Sequence, residues 1–282
     1  MNWPLVAALA AAGLVTGWLL RAVIFACAVP AGAPPGRDCP RCGGQVLSAV
    51  RRFPAAVPGP GRPPGPAASP PGQPPPPAAS PTGPRPWPVL PPSGRCPACR
   101  ARIGPPPLVV ELVTAALFGA LAARVHPALV LAAACWLGGC GVALAWIDAA
   151  VKRLPDALTA PAYAGTAGLL LLAAAAGGDW RDLLRAVLGG LALAAAYLAL
   201  AVISRSAIGL GDAKLAASLG TLTAWPDWRT LIAGAFAGFL LGAAYGVGLL
   251  VSRRAHRKQH IPFGPFMIAG AFLALLASTV PG

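Results

Sequence analysis

The stretch ALVLAAACWLGGCGVALAWID, residues 128–148, runs for 20 residues without a charge and then stops on an aspartate. Wound as a helix, a run of that length rises about 30 Å, the thickness of a bilayer's hydrocarbon core. Comparable apolar runs occupy 4–29, 108–125, 159–177, 183–203, 211–224, 230–251 and 264–280. The chain therefore reads as an all-α, polytopic membrane protein of about eight transmembrane helices, the sixth of them short. Composition agrees, with 56% hydrophobic and 11% charged residues. The first run has no Lys or Arg ahead of it, holds Arg21 within it and lacks a small-residue cleavage site after it. That reads as a retained anchor rather than a signal peptide.

The charges sort by side of the membrane. Net charge is +14, from 22 Lys and Arg against 8 acids. With the N-terminus outside, the inner loops carry nine Arg between the first two helices, then Lys152, Arg153, Arg205, Lys214, Arg253, Arg254, Arg257 and Lys258. The outer loops carry Arg124, Arg181, Arg185 and Arg229. This is the positive-inside bias, so the positive charge points to the lipid bilayer as partner rather than to nucleic acid. It also brings Asp148, ending the third helix, and Asp212, opening the sixth, to one cytoplasmic face.

Residues 31–107 form the one sizeable extramembrane segment and divide the chain into an N-terminal helix (1–30), a cysteine-bearing loop domain (31–107) and a transmembrane domain (108–282). The loop contains Cys39-Pro-Arg-Cys42 and Cys96-Pro-Ala-Cys99. Four thiolates in two CxxC pairs suit structural zinc in tetrahedral coordination; two disulfides or unliganded thiols are the alternatives, and a reducing cytoplasm disfavours the first. Between the pairs, residues 54–92 are rich in Pro, Gly and Ala, a composition expected to be disordered and to loop out of a small metal-clamped knuckle. Cys27, Cys135 and Cys140 lie in apolar runs and read as packing residues.

An ionisable residue within a membrane span is costly and marks function by default. Asp148 ends a helix, where the macrodipole disfavours a carboxylate, so capping does not explain it; a salt bridge to Lys152 or Arg153 would. Asp156 follows Pro155 at the start of the next helix and reads as an N-cap. Asp212 closes Gly209-Leu210-Gly211-Asp212, where it is either a cap or a working carboxylate whose flanking glycines let an extended substrate approach. Two carboxylates that meet in a partly dry site share a proton, one activating water while the other polarises a scissile carbonyl. His126, His256 and His260 lie in polar loops and offer no competing Ser/His or Cys/His arrangement.

Three motifs carry a resemblance: Ile147-Asp148 through Lys152-Arg153-Leu154-Pro155-Asp156-Ala157-Leu158-Thr159, Gly209-Leu210-Gly211-Asp212-Ala213-Lys214-Leu215, and Ile261-Pro262-Phe263-Gly264-Pro265-Phe266. In letters, order and separation they resemble the bacterial type IV prepilin peptidases, membrane aspartic proteases with a Gly-x-Gly-Asp motif. The two CxxC pairs and Pro107-Leu-Val-Val-Glu111-Leu resemble that family's N-terminal half, and only the Pro-rich insert falls outside the likeness. The resemblance implies a cytoplasmic-membrane enzyme that removes a short basic leader from prepilins or pseudopilins on the cytoplasmic side. It places the catalytic pair at Asp148 and Asp212, with Gly209, Gly211, Lys214, Pro262, Gly264 and Pro265 supporting the active site and Cys39, Cys42, Cys96 and Cys99 holding zinc. Lys214 would tune Asp212 or snorkel at the interface; Pro262, Gly264 and Pro265 would shape the substrate groove or serve as an ordinary helix entry. Many members also methylate the new N-terminus with S-adenosylmethionine. This chain departs from their pattern after the first helix, reading Gly17 to Pro30 without the expected Asn or Arg-Leu-Pro, so that activity stays open. Glu111 is a candidate for it, or a helix-start acid that complements the dipole.

Two other classes compete. A proton-coupled transporter would also use membrane aspartates, but no internal repeat accompanies them. A noncatalytic scaffold would need the cysteines and not the aspartates.

Overall fold

The computed structural model describes residues 2–29, 36–47, 90–91, 93–177, 180–204, 209–252 and 262–278. Nearly all of the Pro-rich tract, Arg205, the basic run 253–258, His260 and Ile261 lie outside them. Among the described residues there are eight helices: α1 Trp3–Cys27, α2 Val109–Arg124, α3 Ala128–Val151, α4 Asp156–Gly177, α5 Trp180–Ser204, α6 Leu210–Ala224, α7 Trp228–Val251 and α8 Gly264–Ala277. The extended structure among these residues is two isolated bridges, both beside the cysteines. Five helices, α1, α3, α4, α5 and α7, are long and apolar enough to cross a membrane. The other three, of 16, 15 and 14 residues, are shorter than the ~20 residues of a full span.

Helix α3 is the hub, touching α1, α2, α4, α6 and α8, and its Leu137, Leu144 and Ile147 are fully buried. Apolar side chains on α5 and α7, among them Leu191, Val202, Ile232 and Phe236, face outward. In water that surface would be a liability; in lipid it is the solvent-matched face.

Between lipid-bathed helices the hydrophobic effect supplies little, so close backbone approach does the work. Small residues four apart make it possible. A Cβ on Gly17 of α1 would stand 2.5 Å from Glu111 Cα on α2, and one on Gly238 of α7 would stand 3.2 Å from Met267 Cα on α8. Gly13 and Gly234 repeat these contacts one turn away.

Arg185, expected only as a charge in an outer loop, closes the C-terminal end of α6. Its guanidinium donates to the carbonyls of Ala224 and Pro226, each at 2.8 Å, and to that of Trp225, and it pairs with Asp182 at 2.9 Å. A cation at a helix C-terminus opposes the negative dipole end and satisfies carbonyls that have no partner within the helix.

At the opposite end, the close of α3 meets the openings of α4, α6 and α8. Lys152 ends α3 in the left-handed region at φ 54°, and this sharp exit lets Leu154 lie against Gly211.

Candidate active site

Asp148 lies in the last turn of α3 and Asp212 in the first turn of α6, 5% and 9% exposed. They are near enough for their charges to act on one another. Each is held by one oxygen. Oδ2 of Asp148 accepts the Gly264 N–H at 3.0 Å, and Oδ2 of Asp212 accepts the Gly209 N–H at 2.9 Å. Each Oδ1 is left without a hydrogen-bond partner among the described residues.

The Gly264 contact resolves the electrostatic difficulty of Asp148. The carboxylate sits at the unfavourable end of its own helix, but the N-terminus of α8 is aimed at it, and that end attracts negative charge. Local sequence leaves one donor for the task. Gly264 is the first residue of α8, Pro265 has no N–H, and the Phe266 and Met267 amides turn back to the Phe263 carbonyl. The absence of a side chain at 264 is equally necessary, because a Cβ there would stand 2.9 Å from Asp148 Oδ2. Gly264→Ala is therefore expected to push the amide away from Asp148 and speed its hydrogen exchange by about 10-fold while the helices persist; amide exchange and circular dichroism on the same sample check both halves.

Asp212 is not the N-cap of α6. Gly209 is, and Asp212 sits three residues on with its side chain reaching back to the cap's amide. This is the return half of a capping box; glycine has no side chain to supply the other half. The flanking glycines divide their roles. A Cβ at Gly209 would meet Asp212 Oδ2 at an ordinary 3.7 Å, whereas one at Gly211 would stand 3.0 Å from Leu154 Cβ. Gly211 thus admits the α3–α4 link, whereas position 209 has room for a Cβ.

Lys214 does not go to Asp212. Its ammonium meets Asp156 Oδ1 at 2.6 Å on an exposed surface, tying the first turn of α6 to that of α4. Asp156 is the first residue of α4, and the ion pair takes its side chain, where a cap was expected. Among the described residues Asp148 has no salt bridge, so Lys152 and Arg153 do not account for it. Pro262 precedes the entry to α8, with no hydrogen bond or ion pair to either aspartate.

Glu111 does lie in the first turn of α2, but its Oε1 pairs with Arg21 of α1, and its Oε2 is buried with no hydrogen-bond partner among the described residues. The pair is 3.2 Å apart with side chains 9% and 1% exposed. Gly17, one turn before Arg21, gives the two helices the proximity this needs. Removing one partner of such a pair strands a buried charge at a cost of about 3–5 kcal/mol. The signal was present in the sequence as two scarce, opposite charges in apolar surroundings; their separation by 90 residues hid the pairing.

Arg21 also connects the helices to the cysteines. A Cβ on Gly94, at φ 61°, would stand 2.8 Å from Arg21 Nη2. The small core around the cysteines, with Val46, Leu47, Leu90 and Ile103, takes in Ala22 and Ala26 of α1. Leu90, within the stretch expected to loop out, is fully buried there.

The two CxxC segments have the same fold. Cys39 N–H donates to the Gly44 carbonyl and Cys96 N–H to that of Ala101, both at 2.8 Å; Gly43 and Arg100 then donate back to Cys39 and Cys96. Bridges Asp38↔Gln45 and Arg95↔Arg102 close the two turns at equivalent positions. All four sulfurs lie within 4.8 Å of one another, with Cys39–Cys99 at 3.7 Å and Cys42–Cys96 at 3.8 Å. Those separations exceed the ~2.05 Å of a disulfide. They match the spacing of about 3.8 Å for sulfurs in a tetrahedron around an ion at ~2.3 Å. The cluster can hold a metal ion. Burial opposes ionisation of Cys39, but the Arg41 and Cys42 amides and the Cys99 and Cys96 thiols outweigh it and bring Cys39 down to about 7.

The equivalence exposes one strained position. Gly43 takes φ 68° without penalty, whereas its counterpart Arg100 sits at φ 56°. Arg100→Gly is expected to stabilise the knuckle by about 1 kcal/mol, read as slower metal transfer to a competing chelator; the bond from Arg95 to the Arg100 carbonyl involves only backbone at 100 and survives.

A multi-pass helical membrane protein with one buried aspartate closing α3, another opening α6, and a four-cysteine cluster packed on the end of α1 is the class that fold and site define. Residues 131–247 match the model of the type IV leader peptidase family. It is 37% identical over 187 residues to the prepilin leader peptidase/N-methyltransferase of Aeromonas hydrophila, covering 64% of this chain and 62% of that protein. The proteins of the same description from Burkholderia pseudomallei (strain 1026b) and Dickeya chrysanthemi are 33% identical over 196 residues and 32% over 179. Those alignments cover 66% and 62% of this chain, and 59% and 60% of the two relatives. The chain thus spans about three-fifths of the length of these relatives. No solved structure matches.

Proposed function

We propose that the chain is a membrane aspartic endopeptidase that removes the basic leader of type IV prepilins or pseudopilins. The observation that carries this reading is the matched suspension of Asp148 and Asp212, each held by a glycine amide through Oδ2. A carboxylate pair so held has one oxygen apiece directed to chemistry. One, ionised, takes a proton from water as it attacks the scissile carbonyl, while the other, protonated, donates to the carbonyl oxygen; on collapse the first passes its proton to the leaving amine and the second takes its own back from the hydroxyl. Gly209, Gly211, Gly264 and Pro265 act as supports by backbone placement, Lys214 by pinning α6 to α4, and Pro262 by leading the chain into α8.

In this reading the protein lies in the bacterial cytoplasmic membrane. The charge bias then puts the aspartates and the cysteine cluster on the cytoplasmic side, where a basic leader is found. Residues 1–30, 31–107 and 108–282 serve as anchor helix, cysteine domain and peptidase domain. Cys39, Cys42, Cys96 and Cys99 would hold a structural zinc. The names of the relatives also include N-methylation; a methyl transfer here would use S-adenosylmethionine in the N-terminal half, where Glu111 is committed to Arg21.

The test is reconstitution of the purified protein in lipid with a prepilin bearing a basic leader, followed by intact-mass analysis of the product. Loss of the leader mass by a single cut ahead of the apolar helix supports the reading. An uncut substrate with folded protein refutes it. A further 14 Da on the new N-terminus in the presence of S-adenosylmethionine would establish methylation.

A further inference from the structure

Three aromatic rings from three separate segments meet beside the aspartate pair. Tyr197 of α5 stacks on Phe239 of α7 with centroids 5.5 Å apart and planes 17° from parallel. Phe263, immediately before α8, closes the triangle at 6.0 Å from Tyr197 and 5.2 Å from Phe239. Tyr197 is 2% exposed, and it is near enough to Asp212 for the two to interact electrostatically. Phe263 also lies on Gly242 of α7, where a Cβ would stand 3.0 Å from its ring.

Phe263 is the cap residue of α8, and the next residue is the one whose amide holds Asp148. Its ring has no hydrogen bond to fix it; the other two rings and the glycine face of α7 do so. Aromatic pairs at these separations add stability beyond burial and prefer defined angles. A ring so held fixes the first turn of α8, and with it the direction of the Gly264 N–H.

We propose that Tyr197, Phe239 and Phe263 are positioning residues: they form an aromatic clamp that sets the entry of α8 so that the Gly264 amide meets Asp148, with Tyr197 backing the Asp212 side. They act by joining α5 and α7, otherwise in slight contact, to the loop end that completes the site. The inference rests on the peptidase reading, but its structural half does not need turnover to be measured.

The test uses the full-length protein in lipid nanodiscs, with cleavage kinetics on a leader-bearing prepilin and amide hydrogen exchange at Gly264. Phe263→Ala is expected to lower kcat by about 10- to 100-fold, keep KM within about twofold and accelerate exchange at Gly264. Phe263→Tyr restores both readouts, and Tyr197→Phe, which keeps all three rings, leaves exchange at Gly264 unchanged. Unaltered kcat in Phe263→Ala overturns the clamp. So does a rise in KM alone, which would make the ring a substrate contact. If the wild-type protein does not cut, the peptidase reading fails, while unchanged exchange at Gly264 in Phe263→Ala would separately refute the clamp. Should Phe263→Ala not fold, Phe239→Leu and Tyr197→Leu, which remove the outer rings, are expected to accelerate exchange at Gly264, and unchanged exchange in both refutes the proposal.

Discussion

Replacing Asp148 or Asp212 by asparagine is expected to lower leader cleavage by about 10²- to 10⁴-fold, the usual worth of a positioned general acid or base. Asparagine is nearly isosteric with aspartate and keeps an oxygen that can accept the Gly264 or Gly209 amide. The helix ends should therefore stay in place, and substrate affinity with them. What is lost is the capacity to carry charge or exchange a proton. In the proposed mechanism the carboxylates act as one unit, so the double variant should be little slower than either single one, as with other groups that function together. Initial rates with a leader-bearing prepilin, beside thermal melts of each variant, measure both points. A single variant retaining more than about a tenth of wild-type kcat would sink the pairing, since that is less than the smallest effect expected of such a group.

Removal of the metal expected at Cys39, Cys42, Cys96 and Cys99 should unfold the knuckle and spare the helices. The core there is a handful of side chains, among them Val46, Leu47, Leu90 and Ile103. So few residues cannot offset their ordering entropy without a staple. A four-thiolate zinc site contributes about 10–16 kcal/mol in small zinc-folded peptides. Chelation, or Cys39→Ser with Cys96→Ser, is expected to make residues 36–47 and 90–107 sensitive to protease, while α3 to α8 stay resistant in lipid. Metal analysis should find one ion per chain in the wild type and none in the double serine variant. Retained protease resistance in metal-free protein would show that packing on Ala22 and Ala26 suffices. Some loss of Arg21 anchoring is also expected, because Gly94 of the second CxxC segment lies against its guanidinium.

Much of this architecture is legible in one dimension because a bilayer imposes a simple rule. Apolar runs of about 20 residues must become helices, since no other single segment satisfies its own backbone in lipid. The runs around 128–147 and 230–251 correspond to α3 and α7 within a few residues. CxxC spacing likewise announces a ligand set whatever lies between the pairs, since the geometry is local to each turn.

Side-chain partnerships were less legible. Asp156 has the residue type and position of a cap, yet Lys214 reaches it from 58 residues away. Glu111 has the position of a dipole-complementing acid, yet Arg21 takes it. In each case local preference is worth about 1 kcal/mol or less, and a long-range charge brought near by helix packing outweighs it. The same holds for Gly211, whose use was set by where Leu154 came to rest.

By itself the sequence determined which segments become helices, which four cysteines could form a ligand set, and that Asp148 closes one apolar helix and Asp212 opens another. Those are properties of composition and spacing, and hydrophobic burial in lipid or metal geometry fixes them without reference to distant residues. Only the tertiary structure decided that the N-terminus of α8 faces Asp148, and that three rings from α5, α7 and the α8 entry converge beside the pair. A hydrogen bond depends on tenths of an ångström between atoms 116 residues apart in the chain, and no local rule of the sequence carries that distance.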